Sequence, residues 1–161
     1  MKEPPGRPLA EIRAARAADA AELTRIAHAA KRRWGYAEDL IEAWRMDLTV
    51  GPELIASHPV YCAVEGASIV GFYALSRDGD AGELEHMWVD PPAMARGIGA
   101  TLFRHAASVA RAAGVTVLRI ASDPNAEGFY RKMGARRAGE VPSRPPGRTL
   151  PLLVLDVTAG R

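Results

Sequence analysis

The chain has 161 residues, 48% hydrophobic and 25% charged, the balance of one globular domain rather than of a disordered or fibrous chain. A single cysteine, Cys62, excludes an intramolecular disulfide and a cysteine-based zinc cluster, and no apolar stretch reaches the ~20 residues of a transmembrane helix. The net charge of +2 is uneven: residues 1–90 carry 10 basic and 15 acidic side chains (net −5), and residues 91–161 carry 11 basic and 4 acidic (net +7), which suits one anionic ligand and one cationic or neutral one.

Met1-Lys2-Glu3-Pro4-Pro5 lacks the apolar core of a signal peptide, so a cytoplasmic location is expected. Leu9 to Arg13 alternate and predict a first strand. Asp19 is placed to cap a helix over 20–33, with Leu23, Ile26, Ala27 and Ala30 on one face. Trp34-Gly35-Tyr36 breaks it, a second helix is predicted over about 37–48, and Gly51-Pro52 ends that region. Three strands follow, at 59–65, 69–75 and 83–89, separated by turns at Glu65–Ser68 and Ser76–Asp80, which predicts an antiparallel meander. Ile98, Leu102, Ala106, Val109 and Ala113 give a helical period over 97–113, closed by Gly114. Val115–Ile120 reads as a buried strand, and Asp123-Pro124 as a helix start leading to Gly134. A strand at about 135–140, a Pro-rich loop and a strand over 150–157 complete the chain, with Pro151 placing the last strand at an edge. The order β-α-α-β-β-β-α-β-α-β-β predicts an α/β fold with one mixed sheet covered by helices, a single domain with its core at about 9–157.

The chemically informative stretch is Met94-Ala95-Arg96-Gly97-Ile98-Gly99-Ala100, where a loop opens into a helix. Glycines let backbone N–H groups approach a ligand closely, and a helix N-terminus adds unsatisfied donors and partial positive charge, which favours phosphate or pyrophosphate. No third glycine of a dinucleotide fingerprint and no Gly-Lys-Ser/Thr of a P-loop is present. Together with Asn125, Tyr130 and Gly134, spaced as Asn-x-x-x-x-Tyr with a following glycine, this loop resembles the GNAT superfamily of acetyl-CoA-dependent N-acetyltransferases. The family loop reads Arg/Gln-x-x-Gly-x-Gly/Ala. Here Met94 takes its first position, which implies weaker pyrophosphate binding, with Arg96 a substitute by its guanidinium.

The resemblance covers about residues 9 to 157 and implies a GNAT-type fold whose fourth and fifth strands splay. It implies acetyl-CoA as co-substrate, with no metal. The backbone of Met87, Trp88 and Val89 would pair with the pantetheine arm, and the amides of Ala95, Arg96, Gly97, Ile98, Gly99 and Ala100 would hold the pyrophosphate. Asn125 would bond near the pantetheine, Phe129 would line the tunnel, and Arg131 or Lys132 would reach the 3′-phosphate or adenine.

An alkylammonium of pKa ~10.4 is free base at about one part in 10³ at pH 7, a cost of about 4.6 kcal/mol, so a base or a water relay is valuable. The family places a base at the positions of Glu83 or Glu85. Alternation puts both on one strand face about 7 Å apart, where two partly desolvated carboxylates would raise each other's pKa. Glu85 is favoured as base, with Glu83 as relay or substrate anchor, while alternation sends His86 to the opposite face as a packing residue. Tyr130 would protonate the departing thiolate. Trp34, Tyr36 and Trp44 fall where the family covers its acceptor. There Glu38, Asp39, Glu42 and Asp47 would favour a cationic acceptor, whereas Arg144 and Arg148 would favour a carboxylate. The expected acceptor is a small or amino-acid-like amine. A protein acetyltransferase and a catalytically idle acyl-CoA sensor are the alternatives. No nucleic-acid or membrane partner is expected, since no basic stripe is interleaved with aromatics. A homodimer through the 150–157 edge is compatible with the family.

Overall fold

The structure, a computed structural model, describes residues 10–158. Leu9 and the Met1–Pro5 segment lie outside the described residues. Strand β1 (Glu11–Ala14) leads to α1 (Ala20–Arg32), whose Leu23, Ile26, Ala27 and Ala30 stripe is buried as its period requires. The Asp19 carboxylate does not bond an α1 amide: it accepts from the Arg16 N–H and from Arg13. Helix α2 is short, Glu38–Ala43, and is followed by turns up to Leu48.

A third helix, α3 (Pro52–Ser57), stands where Gly51-Pro52 was expected only to end the region. Proline in the first turn loses no helical hydrogen bond and has its φ already set, so here it starts a helix. The meander is β2 (Val60–Glu65), β3 (Ser68–Asp78) and β4 (Ala81–Val89). The second turn is tighter than expected, confined to Gly79 and Asp80. Helix α4 (Ile98–Ala112), strand β5 (Val117–Ala121), helix α5 (Glu127–Lys132), and strands β6 (Arg136–Pro142) and β7 (Thr149–Asp156) follow.

The seven strands form one sheet in the order β1-β2-β3-β4-β5-β7-β6. All neighbours are antiparallel except β4 and β5. The last strand is therefore interior, and the edge strand of that half is β6. Pro151 is tolerated because its carbonyl accepts from Ser122 N, so its missing N–H faces the same side, where β5 has already ended at Ala121.

One core lies between the sheet and α4 and α5, around Leu102, Phe103, Leu118, Ile120 and Leu153. The other lies under α1 and α2, around Leu23, Ile26, Ile41, Trp44 and Phe72. Two features shape the site. The parallel β4–β5 ladder holds only Ala81↔Val117, Gly82↔Leu118 and Glu83↔Arg119, after which the strands diverge. A bulge also lies in β4, since Ala74 faces His86 while Leu75 faces Leu84, leaving Glu85 as the extra residue. A bulge bends the strand that carries it, and this one lies just beyond the last β4–β5 pair.

Gly71 of β3 lets α4 approach the sheet: a Cβ there would lie 2.9 Å from the Trp88 carbonyl oxygen and 3.0 Å from Leu102. Gly71→Ala is expected to destabilise the fold by about 1–3 kcal/mol by overpacking. Urea unfolding would show it as a lower midpoint, and an unchanged midpoint would mean that the sheet absorbs the methyl group.

Candidate active site

A cavity of about 530 Å³ opens where β4 and β5 part. Its first wall is β4 from Leu84 to Val89, which has no ladder partner on the β5 side. Met87 and Val89 pack toward the α4 core and Trp88 toward the α1 core. The second wall is the loop into α4. Met94, Ala95, Gly97, Ile98, Gly99 and Ala100 all line the cavity. Ala95 and Gly97 have φ of 62° and 81°, a left-handed pair that turns the chain sharply before the helix. Thr101 is the first α4 residue whose N–H bonds back, to Gly97, so the N–H groups of Ile98, Gly99 and Ala100 have no intrahelical partner. A Cβ on Gly99 would meet Phe129 only at 3.5 Å, an ordinary contact, so it would fill the cradle rather than clash. The third wall runs from Ile120 through Asp123 and Asn125 to Phe129, Tyr130 and Lys132.

Of the expected catalytic residues, Glu85 lines this cavity from β4 and Tyr130 from α5. Ser76 Oγ donates to the Glu85 carboxylate. Tyr130 is buried against Phe103 and Phe129, and burial pushes its hydroxyl well above the ordinary tyrosine value, so it stays protonated. Among the described residues no side chain bonds that hydroxyl. Trp34, 41% exposed, lines the cavity at the end of α1. Lys132 lines it too, while Arg131 is held by Glu127.

Three of the expected residues are placed elsewhere. Glu83 is outside the lining and pairs with Arg119 at 3.6 Å, on the last rung before the strands part. The Arg96 guanidinium turns to Glu65, so it does not take the place of the family's first loop residue in this structure. Tyr36 is also absent from the lining, and its hydroxyl donates to Asp123. Arg148 is likewise engaged: it donates to Tyr36 Oη and Ser143 Oγ, with its guanidinium 4.6 Å from the Trp44 ring.

Two titratable residues of the lining, His86 and Asp123, were not expected in the site. The bulge turns His86 onto the face that Glu85 occupies, so it lines the cavity rather than packing on the opposite side. Its Nδ1 accepts from Trp88 Nε1 at 3.1 Å, which leaves the ring proton on Nε2. Burial pulls its pKa down against the raising effect of Glu85 and Asp47, so the ring is neutral near pH 7. Asp123 was read only as a helix cap. It does accept from Asn125 N at 2.8 Å, but it also receives Lys31 Nζ at 2.6 Å in a buried ion pair. A cation on the apolar face of α1, four residues after Ala27, was the sequence signal for that pair.

A family model described as the acetyltransferase (GNAT) family matches residues 20–135. The chain belongs to the GNAT acetyltransferase family. Among solved structures, the PaiA N-acetyltransferase from Thermoplasma acidophilum, in complex with coenzyme A, superposes with a TM-score of 0.74 at 20% identity, covering 91% of this chain and 98% of that one. YncA from Salmonella typhimurium, whose structure is with its cofactor acetyl-CoA, gives 0.66 at 20% identity over 94% of this chain and 95% of that one. The ribosomal-protein-S18-alanine N-acetyltransferase from Escherichia coli gives 0.67 at 17% identity over 91% and 93%. No curated protein sequence matches the chain. The GNAT fold, with its mixed sheet opened between the fourth and fifth strands, is thus the fold of this chain. No described helix is long and apolar enough to cross a membrane.

Burial pushes the Asp123 carboxyl up, but Lys31, the Asn125 amide and Tyr36 outweigh it, and the group titrates below the usual carboxylate range. A folded-state pKa below the unfolded one stabilises the protein above about pH 4, and that contribution is lost as pH falls through the folded value. Asp123→Asn is therefore expected to cost about 3–5 kcal/mol at pH 7, since Lys31 is left buried without its partner. Urea unfolding should show the difference from wild type shrinking below about pH 4, whereas a constant difference would remove the ion pair as its source.

Proposed function

We propose that the chain is an N-acetyltransferase that moves the acetyl group of acetyl-CoA directly to the amine of a small or amino-acid-like acceptor. The observation that carries the reading is that Glu85 of β4 and Tyr130 of α5 both line the cavity between the diverging strands. The residues present fit acetyl-CoA. The unladdered β4 backbone at Met87–Val89 suits an extended amide-bearing arm, and the free N–H groups of Ile98, Gly99 and Ala100 suit a pyrophosphate. Met94 at the head of the loop leaves those backbone donors intact. Asn125 and Phe129 flank the arm's path, and the Lys132 ammonium suits the more anionic end.

When bound, acetyl-CoA supplies a thioester whose carbonyl carbon is open to attack by an amine. Glu85 takes the proton of the incoming ammonium at a carboxylate oxygen, directly or through a water, and so meets the cost of about 4.6 kcal/mol of freeing the amine at pH 7. Ser76 orients that carboxylate. Tyr130 keeps its proton on Oη and would supply it to the departing thiolate. Glu83, held by Arg119 outside the lining, fits a supporting role better than that of base.

A small acceptor is favoured by the way the acceptor side is tied down. Trp44 Nε1 donates to the Arg144 carbonyl at 2.8 Å, and Arg148 donates to Tyr36 Oη at 3.2 Å, joining the segments around α2 to the β6–β7 loop. A broad polypeptide groove would need those segments apart.

Thiol release from acetyl-CoA with a panel of amines tests the reading. Glu85→Gln should lower kcat by about 10²-fold and flatten the acidic limb of the pH–rate profile. Tyr130→Phe should slow turnover more than it weakens coenzyme A binding. An unaltered profile in the first would move the base off Glu85, and unchanged turnover in the second would remove Tyr130 as the acid.

A further inference from the structure

Asp123 sits where β5 ends, with Lys31 behind it and Asn125 in front. The Lys31 and Asp123 side chains are only 9% and 7% exposed. Lys31 Nζ lies 4.5 Å from the Trp44 ring and 4.9 Å from the Tyr36 ring, so the ammonium is enclosed by two aromatic faces and one carboxylate. Asp123 Oδ2 accepts from Lys31 Nζ at 2.6 Å and from Tyr36 Oη at 3.0 Å. Asp123 Oδ1 accepts from Asn125 N at 2.8 Å and from Asn125 Nδ2 at 2.9 Å. Asn125 Nδ2 also lies 3.3 Å from Tyr36 Oη, which is itself 3.2 Å from Asp123 Oδ1.

This arrangement fixes which end of the Asn125 amide a ligand meets. A carboxamide has two N–H donors and one carbonyl acceptor. The nitrogen end of the amide is held by a carboxylate and a phenol oxygen. Reversing the amide would set its carbonyl against the Asp123 carboxylate, so the orientation is held by charge. The group left for the cavity is Asn125 Oδ1, which only accepts. Its ligand must present a donor, which for the amides of an acyl-donor arm or for an acceptor amine is an N–H.

We propose that Asp123 is a positioning residue: kept charged by Lys31 and aligned by Tyr36, it locks the Asn125 amide so that Oδ1 reads an N–H of the substrates. This rests on the acetyltransferase reading. That N–H belongs either to an amide of the acyl donor's arm or to the acceptor amine, and the test separates the two.

The test is a double-mutant cycle of Asp123→Asn and Asn125→Ala, with coenzyme A affinity read by calorimetry and acceptor KM and kcat by thiol release. If Asp123 acts through Asn125, Asp123→Asn weakens coenzyme A binding about tenfold in the wild-type background and adds little in the Asn125→Ala background. The same non-additive pattern in acceptor KM, with coenzyme A affinity unchanged, assigns the N–H to the amine. Additive losses in both quantities would make Asp123 a purely structural residue and overturn the proposal. Should Asp123→Asn fail to fold, Tyr36→Phe takes its place in the cycle, since it removes the second anchor of the same amide. A wild-type chain that binds no coenzyme A would overturn the acetyltransferase reading and the proposal with it. An additive cycle in a chain that binds coenzyme A would overturn the proposal alone.

Discussion

The parting of β4 from β5 after Glu83 and Arg119 is the constraint on which the rest of the structure depends. Backbone N–H and C=O groups inside a sheet need partners, and a strand that loses its neighbour in mid-sheet must find them elsewhere. Here the separation leaves one edge of β4 from Leu84 onward bordering a cavity rather than a strand. The bulge at Glu85 bends β4 and sets Glu85 and His86 toward the same side. The left-handed turn at Ala95 and Gly97 then brings the first turn of α4 to the far end of the same gap. On the proposed reading, an extended ligand with an anionic tail would meet backbone along its length and helix N–H groups at its end.

The second organising element is the ion pair between Lys31 and Asp123, which joins segments 92 residues apart. A buried pair gives little net stability in general, because desolvation offsets most of the attraction. Its use here is geometric. Through Tyr36, Trp44 and Arg148 it ties α1, the α1–α2 segment, the β5–α5 turn and the β6–β7 loop into one polar cluster with every described member bonded. Of that cluster, Asp123 and Asn125 line the cavity.

Much of this was legible in the sequence where local chemistry decides the outcome. The meander from Val60 to Val89 follows from its tight turns, and α4 from its spacing of apolar residues. The glycines of the loop and the Asp123-Pro124 start marked the two ends of the site. What local chemistry does not decide was missed. Pro52 fits both a break and a helix start, and only the packing of α3 selects the second. Strict alternation cannot foresee an extra residue in a strand, so the bulge at Glu85 put His86 on the wrong face. Pro151 suggested an edge because its tolerance depends on where β5 ends. Glu83 is expected from the family position of the base, Tyr36 from its region and Arg96 from its guanidinium, and in the structure each is engaged by a residue distant in sequence.

Calorimetric titration of the purified protein with acetyl-CoA tests the central claim most directly. The account predicts one-to-one binding in the micromolar range, because the β4 backbone and the α4 amides supply most of the contacts whether or not Met94 contributes. Absence of binding would mean that the loop beginning at Met94 no longer holds a pyrophosphate, and would leave the fold without the proposed reaction.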